Sequence, residues 1–170
     1  MNSTDMEYSS KQLIYIIMIE AKNLTEEQID YAWSLTETIK DGEDVNLYHM
    51  DTLCARIKRD EYGKISEFGW CVGYVLSPDK LKQCATTNID KPFLGCNIRV
   101  FHVRNFAYNS DNEPGIYGMY ITMEDGYNEI HTTPQKTWLS KAGLEVLQTT
   151  YGISEEDLHN LFSGCIRELQ

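Results

Sequence analysis

A stretch of alternating large and small residues decides the fold: it reads FGWCVGYVL and spans residues 68–76. Alternation of this kind has the two-residue period of a β-strand. The large side chains are Phe68, Trp70, Val72, Tyr74 and Leu76, and the small residues between them are Gly69, Cys71 and Gly73. Small residues along one face predict that another part of the chain packs closely against this strand.

More strands are predicted on both sides of this stretch. Before it, apolar residues at 53, 55 and 57 alternate with Arg56 and Lys58, and the polar residues 60–63 form a turn, which predicts a hairpin. After it, β-branched and aromatic residues are frequent in three segments, 96–106, 116–123 and 127–131. The order of these segments predicts an antiparallel meander sheet of about four to five strands.

An amphipathic helix is predicted near the N-terminus. Thr25 and Gln28 have the spacing of a capping box, and Gly42 supplies the end of a helix of about four turns. One side of this helix is apolar and carries Ile29, Ala32, Leu35, Thr36 and Ile39. The opposite side is an acidic stripe of Glu26, Asp30 and Glu37, which Asp41 and Asp44 would continue.

Two helices are predicted at the C-terminus. Thr133 caps the first, which runs to about residue 150 and ends at Gly152, and Ser154 with Asp157 opens the second. The apolar segment 13–19 fits either a buried helix or a buried strand, and its flanking residues favour a helix. Helices that cover an antiparallel sheet predict an α+β architecture in a single globular domain over residues 1–170.

Composition predicts a cytoplasmic chain without a metal or cofactor. Five cysteines, an odd number with no CxxC pair, favour free thiols in a reducing compartment and argue against a zinc site. The longest apolar run is far shorter than the ~20 residues that cross a membrane, and the acidic first residues are unlike a secretory signal. The sequence contains no phosphate-binding or calcium-binding loop, so we expect no bound cofactor.

Charge is distributed unevenly along a chain whose net charge is −11. Residues 24–51 contain eight acidic residues and one basic residue, Lys40, and residues 105–130 contain five acidic residues and no basic one. Residues 52–104, in contrast, contain nine basic and five acidic residues. This pattern makes nucleic acid an unsuitable direct partner and predicts a basic protein partner, such as a nucleic-acid-binding enzyme.

The acidic residues that we expect to bind such a partner lie in both acidic segments. Carboxylates in a row imitate the charge of a nucleic-acid backbone, although most acidic helix faces are simply solvated. The predicted binding residues are Glu26, Asp30, Glu37, Asp41, Asp44, Asp111, Glu113, Glu124 and Asp125. The corresponding function is a non-catalytic inhibitor, of the kind that a phage or mobile element would direct against a host nuclease.

A small enzyme is a second functional class that fits the sequence. His102 and Arg104 are two apart in a predicted strand, and Glu129 and His131 have the same spacing in another. If those strands are neighbours, the four side chains converge and would serve acid–base work on an anionic substrate. Unrelated polar residues on two strand faces explain the same pattern.

A self-associating module is the third class. The small residues Gly69, Cys71 and Gly73 would let two copies of the strand approach each other closely. This hypothesis predicts a homodimer whose contact surface is the small face of the strand.

Overall fold

The computed structural model describes residues 23–39, 48–108, 116–117, 120–124, 127–132, 135–136, 139–162 and 166–167. Helices and short, mainly antiparallel sheets alternate along these ranges, so the predicted α+β class is confirmed. The apolar segment 13–19 lies outside the described residues. Among the helices that are described, none is long and apolar enough to cross a membrane.

The first helix, α1, spans Glu26–Ser34 and begins as its sequence predicts. Thr25 Oγ1 accepts from Gln28 N at 3.2 Å, and Gln28 Oε1 accepts from Thr25 N at 2.9 Å, which completes the capping box. Ile29 and Ala32 are buried, as predicted. Both belong to a core cluster that includes Trp70, and this contact holds α1 against the sheets.

Helix α1 is shorter than predicted: it ends at Ser34 and not near Gly42. Leu35 N and Thr36 N donate to carbonyls three residues back, and the Thr36 hydroxyl donates to Trp33 O at 2.6 Å. These contacts tighten the last turn and occupy a carbonyl that a continuing helix would use. Leu35, which the sequence places on the apolar side of the helix, is 47 % exposed.

Strand β1 (Glu37–Thr38) follows α1 and forms a three-stranded antiparallel sheet with β2 (His49–Met50) and β3 (Arg56–Ile57), in the order β1-β2-β3. Strand β4 (Trp70–Tyr74) pairs instead with β5 (Ile98–His102). The predicted hairpin between β3 and β4 is therefore wrong, since its two strands lie in different sheets. Both faces of β4 carry buried residues, so the five-residue and mostly buried β5 matches it better than the two-residue β3.

The remaining described strands form two-stranded sheets. The predicted hairpin of β7 (Tyr120–Glu124) and β8 (Tyr127–His131) is confirmed. Strand β6 (Ile116–Tyr117) pairs with β9 (Gln135–Lys136), and β10 (Leu139–Ser140) pairs in parallel with β11 (Ile166–Arg167). Several small sheets therefore replace the single meander that the sequence predicts.

Four further described helices are α2 (Pro78–Cys84), α3 (Val103–Tyr108), α4 (Lys141–Tyr151) and α5 (Glu155–Leu161). As predicted, α4 ends at Gly152, whose φ is 60°, and α5 begins after Ser154. The predicted start of α4 at Thr133 is wrong. Strands β9 and β10 occupy part of the intervening chain, and Ser140 Oγ caps the helix by accepting from Gly143 N at 3.0 Å.

The small face of β4 is covered, as its alternation predicts. Cys71 packs with Phe101 in a cluster of buried residues, and Gly69 and Gly73 are buried as well. The chain passes so close that a Cβ at Gly69 would lie 1.9 Å from Lys64 O. This face is therefore occupied within the chain and does not supply the surface that the homodimer hypothesis requires.

Candidate functional site

A buried carboxylate, Asp51, is the acceptor that four N–H groups share. Its Oδ1 accepts from Leu53 N at 2.9 Å and from Ala55 N at 2.7 Å, which closes the turn between β2 and β3. Its Oδ2 accepts from His102 N at 2.8 Å and from Asn105 Nδ2 at 2.8 Å. Burial raises the pKa of Asp51 to about 6, although the four donors act in the opposite direction.

Asn105 extends this network to the hairpin of β7 and β8. Its Oδ1 accepts from Ile121 N at 2.6 Å, and its Nδ2 also donates to Ile121 O at 3.0 Å. The amide thus pairs with Ile121 as the backbone of a neighbouring strand would, and it ties α3 to β7. Sequence reasoning missed both residues. An Asx turn at Asp51 was the one local signal, because the other partners are distant in the chain.

The candidate catalytic residue His102 is fully buried, and backbone groups occupy both of its ring nitrogens. Nε2 lies 2.7 Å from Glu67 O, and Nδ1 accepts from Arg104 N at 3.0 Å. A carbonyl only accepts and an amide only donates, so the ring is neutral and carries its proton on Nε2. Burial lowers the pKa of His102 to about 4. The imidazole therefore has a structural role and offers no nitrogen to a substrate.

The other three catalytic candidates lie outside β5, the strand that ends at His102. Strand β5 ends at His102, so Arg104 lies in α3 with an exposed side chain, and the strand face that the two were predicted to share does not exist. Glu129 and His131 lie in β8, which pairs with β7 and not with β5. Another β8 residue, Asn128, donates through Nδ2 to Glu67 O at 3.1 Å, and His102 Nε2 donates to the same carbonyl. Because side chains alternate along a strand, Glu129 and His131 extend from its other face.

The acidic stripe of α1 has a basic partner that the sequence did not indicate. Arg59 lies in a short 3₁₀ turn (Arg59–Glu61), and its Nε donates to Asp30 Oδ1 at 2.9 Å. A second nitrogen of the same guanidinium donates to Glu26 Oε2 at 3.2 Å. The side chains of Glu26 and Asp30 remain 84 % and 69 % exposed. Arg59 therefore orders the two carboxylates and offsets part of their charge, but it leaves them in contact with solvent.

The other predicted binding residues lie elsewhere. Glu37 belongs to β1, beyond the end of α1. The prediction that it is part of the helix stripe is therefore wrong. Glu124 is the last residue of β7. The residues outside the described ranges are Asp41, Asp44, Asp111, Glu113 and Asp125. Of the predicted stripe, the helix itself presents Glu26 and Asp30.

A cavity of about 480 Å³ opens beside the C-terminal end of α1. The end of α1, strands β1 and β2, the turn after β2, and β5 form its walls. The lining residues include Leu35, Glu37, Asp51, Cys54, Gly95 and Arg99. A volume of this size is enough for a small ligand or for a side chain of a protein partner.

Tyr31 and Leu35 form an exposed apolar margin at this cavity, with exposed fractions of 42 % and 47 %. Tyr31 Oη accepts from Gly95 N at 3.0 Å, and a Cβ at position 95 would lie 2.7 Å from that oxygen. Any larger residue at position 95 would force the Tyr31 ring to shift. The hydrogen bond fixes the phenol ring against the cavity, so the margin is preorganised.

Carboxylates set the electrostatic character of part of the cavity. Partial burial, and then the charges of Asp51 and Glu37, raise the pKa of the Cys54 thiol. Both carboxylates therefore make the potential negative at this point. A negative potential disfavours the thiolate, so Cys54 lacks the activation that a nucleophilic cysteine needs.

Acidic side chains dominate the exposed surface of the described residues. Thirteen Asp and Glu side chains are exposed there, against five Lys and Arg side chains. Half-buried basic residues account for five of the nine in segment 52–104, namely Arg56, Lys58, Arg59, Lys80 and Arg99. The middle segment is therefore less basic at the surface than its composition indicates.

The described surface thus combines an acidic helix face with an adjoining cavity, whereas the polar interior serves the fold. No group of three or more His, Cys, Asp or Glu side chains in the described ranges is arranged to hold a metal ion. Comparisons with protein-family models, with curated proteins and with solved structures find no match to this chain.

Proposed function

We propose that this protein is an acidic, non-catalytic binding protein that docks a basic protein partner. The observation that carries the proposal is the excess of exposed carboxylates, thirteen against five basic side chains among the described residues. Such a surface steers a basic partner toward itself and suppresses acidic competitors. The buried Asp51 and His102, in contrast, have their polar atoms occupied by the chain itself.

The docking surface that we propose is the exposed face of α1 together with the adjoining cavity. Glu27, Tyr31 and Leu35 are spaced by four residues, so they form one line along the helix. All three are exposed, and Leu35 also lines the cavity. The line brings together a carboxylate, an aromatic ring and an aliphatic side chain, which suits an interface with an apolar centre and a charged rim.

Glu26 and Asp30 flank this line, and Arg59 gives them a defined geometry. Side chains that are already ordered lose less conformational freedom when a partner binds. We expect the partner's basic groups to approach these carboxylates on the side that is exposed to solvent. The ordered pair therefore contributes orientation as well as charge.

A nucleic-acid-binding enzyme is the partner class that we favour. Such a protein presents Lys and Arg in a groove that accepts phosphates, and a surface of carboxylates competes for the same groove. Docking there would inhibit the enzyme. Inhibition of a host nuclease by a phage or mobile-element protein is the setting that we propose for this activity.

Capture of the partner from a cell lysate, followed by competition, tests the proposal. At low salt the tagged protein should retain a basic, nucleic-acid-binding protein. Because screening weakens exposed charge contacts, added salt should release that protein. Added nucleic acid should release it too, since both ligands would occupy one groove. A retained protein that neither treatment releases would contradict the proposal.

Matched charge variants locate the docking surface. A variant with Glu26→Gln, Glu27→Gln and Glu37→Gln removes three charges at α1 and the cavity, and it should lose the partner. The control variant removes three charges from exposed residues of α5 by Glu155→Gln, Glu156→Gln and Asp157→Asn. It should retain the partner. Equal retention by the two variants would show that α1 is not the docking surface.

A further inference from the structure

Two basic and two aromatic side chains form a compact group on the sheet of β2 and β3, which we name the cation–aromatic cluster. Its members are Tyr48, Arg56, Lys58 and Phe68, and all four are half-buried. Arg56 Cζ lies 4.6 Å from the centre of the Tyr48 ring, and Lys58 Nζ lies 5.0 Å from the same centre. Lys58 Nζ is also 5.2 Å from the centre of the Phe68 ring, which meets Tyr48 edge-on at 5.1 Å.

Strand register explains why the cluster forms. Met50 pairs with Arg56 and His49 pairs with Ile57, so the same register continues to Tyr48 opposite Lys58. Arg56 and Lys58 are two residues apart and therefore extend from one face of the chain. Both cations consequently lie on the same side of the sheet as the Tyr48 ring.

Hydrogen bonds fix the backbone beneath both cations. Asn128 Oδ1 accepts from Arg56 N at 2.7 Å, and Asn128 Nδ2 donates to Arg56 O at 3.0 Å. Lys58 O accepts from Trp70 Nε1 at 2.7 Å, and Lys58 N donates to Phe68 O at 3.1 Å. The cluster is therefore built on a rigid frame, which is what a binding site needs for preorganised contacts.

Neither cation is neutralised by a carboxylate in the described part of the chain. Among the described residues, the basic side chains that form ion pairs are Arg59, Lys64 and His159. Arg56 Nε is shielded from solvent and has no hydrogen-bond partner among the described residues. Two like charges at one ring, in a chain whose net charge is −11, are an unusual arrangement unless an anion joins them.

Aromatic contacts also leave the donors of Arg56 available. A guanidinium that lies over a ring is held by its face, so this contact does not consume its terminal N–H groups, although Nε is shielded from solvent. Those donors match two oxygens of one oxyanion. Lys58 adds a compact point charge on the same side of the sheet. The cluster thus supplies both a geometric and an electrostatic element of anion recognition.

We propose that the cation–aromatic cluster binds a phosphate group, with Arg56 donating to two of its oxygens and Lys58 neutralising the remaining charge. A phosphate group carries about −1.5 to −2 charges at pH 7, which matches two cations, whereas a carboxylate carries one. The site is separate from the docking surface, because none of its four side chains belongs to α1 or lines the adjoining cavity. The phosphate would come from a free ion, a nucleotide or a phosphorylated side chain.

Titration calorimetry of the full chain with inorganic phosphate, at constant ionic strength, tests this site. We expect saturable binding of one phosphate, and no comparable binding of acetate. Lys58→Gln should weaken binding by roughly tenfold, because it removes a charged contact. Lys82→Gln is the matched control, since Lys82 is an exposed lysine of α2. It should bind phosphate as the unaltered protein does.

Arg56→Lys separates geometry from charge. It keeps the positive charge but removes the planar pair of donors, so phosphate binding should again weaken by roughly tenfold. Urea unfolding of each variant identifies any loss of fold, and Lys58→Gln covers the case in which Arg56→Lys does not fold. Absence of saturable phosphate binding to the unaltered protein would overturn the proposal. Equal affinities of Lys58→Gln and Lys82→Gln would overturn it as well.

The source of the phosphate follows from two more titrations. Adenosine monophosphate that binds more tightly than inorganic phosphate indicates a nucleotide ligand, and tighter binding of phosphoserine indicates a phosphorylated protein. Equal affinities indicate the free ion. Because the docking variants of α1 leave the cluster unchanged, they should bind phosphate normally whether or not the protein docks a basic partner.

Discussion

The carboxylates of α1 and the carboxylate of Asp51 belong to one acidic segment, yet their environments are opposite. Glu26 and Asp30 are largely exposed and share one guanidinium, whereas Asp51 is buried and bound by four N–H groups. Removing an exposed charge costs little stability, while altering a buried and fully bonded one costs much. The difference teaches that position in the fold, and not membership of an acidic segment, decides whether a carboxylate serves stability or binding.

The largest expected effect is that of Asp51→Asn. An amide offers one acceptor oxygen, so two of the four N–H donors would face an NH₂ group instead of an oxygen. We expect the free energy of unfolding to fall by about 3 kcal/mol, measured by urea denaturation. Asp90→Asn, at an exposed position, is the control and should change stability little. Similar losses for the two variants would remove the contrast between interior and surface.

The next prediction concerns pH, because Asp51 and His102 titrate with opposite consequences. The folded pKa of Asp51, about 6, lies above its ordinary value of 3.8, so its contribution to stability is lost as pH rises from about 4 to 6. The folded pKa of His102, about 4, lies below its ordinary value of 6.5, so its contribution is lost as pH falls through that range. Each effect amounts to about 3 kcal/mol, and the two oppose each other.

Two variants separate these contributions. Relative to the unaltered protein, Asp51→Asn should gain stability as pH increases from 4 to 6, because it lacks the carboxyl group whose raised pKa makes the unaltered protein less stable over that range. His102→Gln should show the reverse, with relative stability that falls as pH increases. Urea unfolding at several pH values between 4 and 7 provides both differences. Slopes of the same sign for the two variants would contradict the assignment.

A smaller effect is expected at the surface pair. Arg59→Gln removes the cation that Glu26 and Asp30 share, and we expect the free energy of unfolding to fall by less than about 1 kcal/mol. The loss should shrink further at high salt, because these carboxylates are exposed. Urea denaturation at low and high salt measures both quantities. A loss as large as that of Asp51→Asn would show that the α1 carboxylates serve stability, as Asp51 does.

Local signals predicted the helix starts that depend on neighbouring residues. Thr25 with Gln28 and Ser154 act within three positions of the chain, and Gly152 needs only its own backbone conformation. The alternation of 68–76 likewise predicted β4 and its covered small face. The helix ends could be predicted because the partner that stabilises each is close in sequence. Strand β4 could be predicted because its alternation indicates which face is buried.

Features that depend on distant partners could not be predicted in this way. The pairing of β4 with β5, the Arg59 contact with α1, and the network of Asp51 and Asn105 join residues far apart in the chain. A single sequence contains no periodicity that reports such contacts. For the same reason the catalytic candidates were chosen from strand spacing alone, and the burial of His102 was not foreseen.

The most direct test of the docking proposal is the dissociation constant of the captured partner, measured over a range of salt concentrations. For the unaltered protein we predict binding that weakens steadily with salt. The variant with Glu26→Gln, Glu27→Gln and Glu37→Gln should bind at least roughly tenfold more weakly at low salt and depend less on salt. The same affinity and the same salt dependence for both proteins would contradict the claim that the α1 carboxylates bind the partner.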